Sequence, residues 1–144
     1  MANPRNDVRF INVKQRRETF KHDNTIVFND TLPGNSAQAG LAVTQIGEAA
    51  KTVSLVAAGE RVAGKLELVE ADGNCVVTTH GNVELPAGTG ALLVAGLPIM
   101  GALLGAAEGY IDTVPAVATA ASAQAARGRL IDATTTTKVV VDLD

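Results

Sequence analysis

Glycine and proline interrupt this chain so often that few stretches run long enough for a helix of ordinary length. Fourteen glycines and five prolines are spread over 144 residues. Many stand in turn-forming company: Leu32-Pro33-Gly34-Asn35-Ser36, Ala71-Asp72-Gly73-Asn74, Gly81-Asn82 and Pro86-Ala87-Gly88-Thr89-Gly90. Glycine supplies the positive φ that tight turns need, and proline cannot donate a backbone hydrogen bond into a helix or a central strand. Short apolar segments are left between the breaks, and many short strands at turn spacing indicate a sandwich or a small barrel. The chain therefore reads as all-β: a small antiparallel barrel or sandwich of short strands, with one short Ala-rich helix and an extended N-terminal arm.

The expected strands cover residues 25–28, 41–46, 52–56, 61–70, 75–79, 83–85, 91–94, 99–104, 109–114, 130–131 and 138–143. Within 61–70, Lys65-Leu66-Glu67-Leu68 alternates polar and apolar, the period of a strand with one wet face. Asp72-Gly73-Asn74 joins this run to 75–79 as the clearest hairpin, and Gly81-Asn82 is expected to turn the chain again. Residues 116–126 are rich in alanine and hold neither Gly nor Pro, so they form the one expected helix, stopped at Arg127-Gly128-Arg129.

Charge and aromatic residues divide the chain unevenly. Residues 1–23 carry six basic side chains against three acidic ones, a net of +3; with −3 overall, the remainder carries −6. All three phenylalanines lie in the first 28 residues, and the rest offers only Tyr110 and no Trp. Arg and aromatic side chains are the usual anchors of interfaces. Residues 1–36 are therefore expected to be an extended basic arm that docks elsewhere, and 37–144 a β-rich domain. The arm's anchors would be Arg5, Arg9, Arg16 and Arg17, which can form bidentate pairs with carboxylates, and Phe10 and Phe20, which can fill apolar pockets.

Several function classes are excluded on composition. Hydrophobic residues at 47% and charged residues at 19% exclude wholesale disorder. A net charge of −3 excludes a uniformly basic nucleic-acid binder, so no nucleic-acid partner is expected. The single cysteine, Cys75, excludes an intrachain disulfide and a multi-cysteine zinc site. In a strand over 75–79, His80 would lie on the opposite face from Cys75, which argues against a nucleophile–base pair. Gly88-Thr89-Gly90 lacks the third glycine of a dinucleotide loop, and there is no phosphate-loop lysine motif. No catalytic, cofactor-binding or metal-binding residues are assigned, and the chain reads as a non-enzyme.

No charge falls between Glu84 and Glu108, but Pro86, Pro98 and several glycines cut that stretch into runs too short to cross a bilayer. The N-terminus lacks the apolar core of a signal peptide. The reading is a protein made in a cytoplasm, with no membrane partner. Leu92, Leu97, Ile99, Met100 and Leu103 in the uncharged stretch exceed what a small domain is expected to bury alone. They are expected to face another copy of the chain.

Three runs carry a family resemblance. They are Gly59-Glu60-Arg61-Val62-Ala63-Gly64-Lys65-Leu66-Glu67-Leu68-Val69-Glu70-Ala71-Asp72-Gly73-Asn74-Cys75-Val76-Val77 with its continuation Gly81-Asn82-Val83-Glu84-Leu85-Pro86-Ala87-Gly88; Ala126-Arg127-Gly128-Arg129-Leu130-Ile131-Asp132-Ala133; and Val139-Val140-Val141-Asp142-Leu143. Together they resemble the head decoration, or capsid cement, proteins of tailed bacteriophages, over most of residues 37–144. The resemblance implies a structural virion protein on the outer surface of a phage head that binds the major capsid protein and stabilises the lattice. It also implies a homo-oligomer, a trimer ahead of a dimer, with no cofactor and no catalysis. The alternative is a non-enzymatic surface module on a phage particle that recognises a host surface or glycan. That role calls for aromatic platforms, of which the body offers only Tyr110. A biotinyl- or lipoyl-type carrier would show a lysine at a hairpin tip, where this chain has Asp72-Gly73-Asn74.

Overall fold

The computed structural model describes residues 15–47, 51–88, 93–103, 108–114, 124–132 and 138–143. Its strands are β1 (Arg16–His22), β2 (Ala42–Ile46), β3 (Thr52–Leu55), β4 (Gly64–Val69), β5 (Asn74–Pro86), β6 (Ile99–Gly101), β7 (Ile111–Thr113), β8 (Arg129–Asp132) and β9 (Lys138–Leu143). The order β1-β3-β2-β4-β5 closes on itself because β1 also pairs with β5, giving a five-stranded barrel, and β9 and β8 continue the sheet beyond β5. All pairings in the barrel are antiparallel except β1 with β3, where Lys21 faces Thr52 and His22 faces Val53. β6 and β7 form a separate two-stranded sheet. Of the all-β barrel or sandwich expected from the turn spacing, the chain forms the barrel.

Two clusters of buried side chains hold this arrangement. Phe20, Ile26, Val43, Val53, Leu66, Val69, Cys75 and Val77, drawn from every strand of the barrel and the segment after β1, fill its interior. The second cluster lies under β5, β9 and β8, where Val83, Leu85, Val139, Val141, Leu143 and Leu130 meet Ile99 and Ile111. Its pattern is legible in β9: Val139, Val141 and Leu143 are buried, whereas Lys138 is exposed and Val140 and Asp142 are half-buried. This alternation follows from successive side chains pointing to opposite faces.

Asp72-Gly73-Asn74 forms the expected hairpin between β4 and β5, with Gly73 at φ 90° and the Asp72 carboxylate accepting from the Asn74 backbone N–H at 3.1 Å. Gly81-Asn82 is not the second turn expected there. β5 runs straight through it, and Gly81 at φ 102° marks the place where the strand changes partners. Up to His80 it pairs with β1, and from Gly81 to Pro86 it pairs with β9. A glycine's tolerance of positive φ serves equally to bend a strand between two sheets.

One further expectation fails, and two fall partly outside the described residues. Residues 25–28 form no strand; only Ile26 is buried, as a member of the barrel cluster. Of the strand expected over 91–94, residues 91–92 lie outside the described set, and Leu93 and Val94 are irregular. Of the helix expected over 116–126, all but the last three residues lie outside it; Gln124 and Ala125 are helical.

The arm also needs correction. Residues 1–14, with Arg5, Arg9 and Phe10, lie outside the described residues. Residues 16–22, however, are β1, the strand that closes the barrel against β5 and β3. An arm reaching to residue 36 is therefore ruled out. Charge had marked this segment as separate, but the segment is paired on both sides: Arg17, Thr19 and Lys21 are exposed, while Phe20 is buried and Glu18, on the same face, lines the barrel mouth.

Candidate functional site

One end of the barrel is an open mouth, a cavity of about 370 Å³ lined by Glu18, Phe20, Thr44, Gln45, Arg61, Val62, Ala63, Thr79 and Arg127. It exists because β2 and β4 pair only at Ala42–Lys65 and Val43–Gly64. Beyond those pairs Thr44 and Gln45 part from Arg61 and Val62, leaving a gap that β1 and β5 complete.

Arg127 fixes the rim. Its guanidinium donates to the carbonyl oxygens of Val62 (3.0 Å), Ala63 and Thr79, tying the region before β8 to the barrel. Its own backbone exchanges two hydrogen bonds with Ile99, at 3.0 and 3.1 Å. Arg61 donates from Nη1 to the Ala126 carbonyl at 2.6 Å. Among the described residues it has no carboxylate partner. The one acid in the lining, Glu18, is taken by Arg16 at 2.6 Å. Thr79 is nearly buried, and its hydroxyl lies 3.0 Å from His80 Nδ1. Thr44 is also nearly buried. On the floor lies the Phe20 ring, with Lys51 Nζ 5.2 Å from its centroid.

The expected anchors separate in space. Arg16 and Arg17 are exposed on β1, as expected of docking residues. Phe20 is not an anchor: at 5% exposure it belongs to the barrel core. Leu92 lies outside the described residues. Ile99 and Met100 are buried in the chain's own clusters, so they are not available to a second copy. The region around β6 supplies enough apolar surface from Ile111, Val114 and Ala125 to cover them within one chain. Leu97 is half-buried, and Leu103 is 53% exposed. Among the described residues, the free apolar surface near β6 thus consists of Leu103, with Val94 at 50% exposure and part of Leu97.

A second apolar surface was not read from the sequence. In the segment after β1, Val27, Phe28 and Leu32 are exposed, Val27 at 58%. The segment itself is held firmly. The Leu55 N–H donates to Thr25 Oγ1 at 3.1 Å, the Val27 N–H to Gln38 Oε1 at 3.1 Å and the Asn29 N–H to the Asn35 carbonyl at 2.7 Å. The signal was present in Val27-Phe28, but these residues read equally well as a buried strand. A second hollow of about 360 Å³, lined by Leu41, Lys65, Glu84, Pro86, Tyr110 and Lys138 among others, lies where the barrel meets the sheet extension.

Cys75 sits in the barrel core; burial, and secondarily the charge of Glu70, push its thiol up to about 11. Such a thiol is protonated and a poor nucleophile at neutral pH. Among the described residues, no three His, Cys, Asp or Glu side chains gather as metal ligands. None of the described helical segments is long and apolar enough to cross a membrane. Compared with protein-family models, curated proteins and solved structures, the chain matches none.

Proposed function

We propose that this chain is a structural docking protein that attaches to the outer surface of a bacteriophage head and stabilises its lattice. The observation that carries the reading is the surface along β1 and the segment after it. The cations Arg16, Arg17 and Lys21 lie exposed on the strand, and Val27, Phe28 and Leu32 stand exposed on a segment pinned by hydrogen bonds. Exposed apolar side chains held on a fixed backbone, and exposed arginines on the strand that leads into it, suit a protein partner, because little entropy is lost on docking. The resemblance to cement proteins names the partner class, the major capsid protein. Residues 1–14, with Arg5, Arg9 and Phe10, extend the same basic segment in sequence.

Incubating the purified chain with heads lacking it, followed by imaging, tests the proposal. Added density on the outer surface is expected, weakened by Arg17→Ala and by Phe28→Ala while the isolated chain melts normally. Unaltered heads, or attachment indifferent to both substitutions, would remove the basis for this role. A second reading, a surface module recognising glycans, draws on the hollow containing Tyr110, Lys65, Lys138 and Glu84. An aromatic ring beside both charge signs suits an acidic sugar. Binding to a panel of acidic glycans that Tyr110→Ala abolishes would favour it.

A further inference from the structure

We infer that the mouth of the barrel is a binding site for a carboxylate carried on a short aliphatic stem, as in glutarate or a glutamate side chain. The inference rests on the cavity itself and not on the docking role proposed above. Two guanidinium groups, Arg61 and Arg127, line the cavity against one carboxylate, Glu18. The two arginines differ in what they offer. Arg127 donates to three carbonyls and supplies fixed positive charge from the rim. Arg61 makes a single hydrogen bond, to Ala126, and among the described residues pairs with no acid. Glu18 is held by Arg16 at 2.6 Å, so among the described residues no lining carboxylate is left to pair with Arg61.

The remaining lining completes an acceptor's needs. The Thr44 hydroxyl and the Gln45 amide donate to no described group, and both residues line the cavity, where a ligand oxygen can replace water as their partner. A polar group so placed gains by meeting a ligand oxygen. The Phe20 ring at the floor offers an apolar surface for methylene groups, and Lys51 beside it adds positive potential. A cavity of about 370 Å³ is too large for an inorganic anion alone and admits a short chain. Arginine favours planar carboxylates because its fork of donors matches two oxygens.

The ligand has two possible sources, a free small acid or an acidic side chain of another protein. The experiment is a titration of the ¹⁵N-labelled full chain, followed by amide shifts, with three probes: glutarate, capped Ala-Glu-Ala and capped Ala-Gln-Ala. Both carboxylates are expected to give saturable shifts at Thr44, Gln45, Val62, Ala63 and Thr79, while the glutamine peptide binds about tenfold more weakly or not at all. Arg61→Gln should weaken both carboxylates about tenfold, the loss of one charge-assisted contact. Thr44→Val should weaken them by a smaller factor. Tighter binding of glutarate assigns the site to a free acid, and equal or tighter binding of the glutamate peptide assigns it to a partner's side chain. Saturable shifts elsewhere only, equal binding of the glutamine peptide, or a folded Arg61→Gln chain that binds as before would each overturn the inference. The peptide comparison requires no substitution, so it decides the matter even if a variant fails to fold.

Discussion

Replacing Phe20 with alanine separates the two roles that its sequence position suggests. As an arm anchor it would leave the isolated chain's stability unchanged; as a core residue it should cost the fold heavily. The ring is 5% exposed and packs in one cluster with Val43, Val53, Leu66 and Val77, one from each of the other four barrel strands. A barrel closed by pairing all round cannot readily collapse onto the vacated space, so most of the cavity should persist. Core Phe→Ala changes cost about 3–5 kcal/mol, and the loss grows with the residual cavity. The ring also lines the barrel mouth, where water can enter part of the space. We therefore expect about 3–4 kcal/mol, a large part of the roughly 5–15 kcal/mol by which such domains are stable. Losing the Lys51 contact accounts for no more than about 1 kcal/mol of this. The expected fall in Tm is roughly 10–15 °C for a chain of this size. Urea unfolding followed by circular dichroism should show a lower midpoint with an unchanged slope. Phe20→Leu should lose less than half as much. A loss below about 1 kcal/mol, combined with failure to attach to heads, would refute the core assignment and restore the anchor.

The other expectations concern backbone space, chain ends and the thiol. Gly73→Val should destabilise by about 1–2 kcal/mol through its left-handed backbone alone, because open space surrounds the position. Gly64→Ala should cost more, about 3 kcal/mol, since its Cβ would meet the Thr78 carbonyl and lie 2.6 Å from Val77 Cγ1 at the β4–β5 seam. Thermal melts that reverse this order would show that the seam is drawn wrongly. Deleting residues 1–23 removes β1 and should abolish cooperative unfolding; a folded 24–144 fragment would contradict barrel closure by β1. Cys75 should resist alkylation at pH 8 until the chain unfolds, and rapid labelling of the native protein would argue against its burial. With its folded-state pKa raised from 9.0 to about 11, the unfolded chain releases that proton first. Cys75's contribution to stability is therefore complete below about pH 9 and falls as pH rises toward 11. Cys75→Ala should flatten that part of the stability profile.

What the sequence determined by itself is local. The polar–apolar alternation of Lys65-Leu66-Glu67-Leu68, the turn at Asp72-Gly73-Asn74 and the crowding of glycine and proline between apolar runs were enough for an all-β barrel or sandwich. Each depends only on residues within a few positions of one another, where φ preference and side-chain alternation act directly. The separation of Cys75 from His80 likewise followed from strand alternation, which argued against a nucleophile–base pair. The tertiary structure decided what depends on distant partners. Charge made β1 look like an arm, yet pairing with β5 and β3 builds it into the barrel and places Phe20 in the core. Gly81 read as a turn, and only the arrival of β9 beside β5 makes it the bend where one strand serves two sheets. Arg127, expected just past the end of a helix, is held by carbonyls of Val62, Ala63 and Thr79, some fifty to sixty-five positions away in the chain. Ile99 and Met100, expected to need a second subunit, find cover within their own. Closing a barrel brings together segments that local propensity treats as independent, and burial is then set by which strand lies alongside.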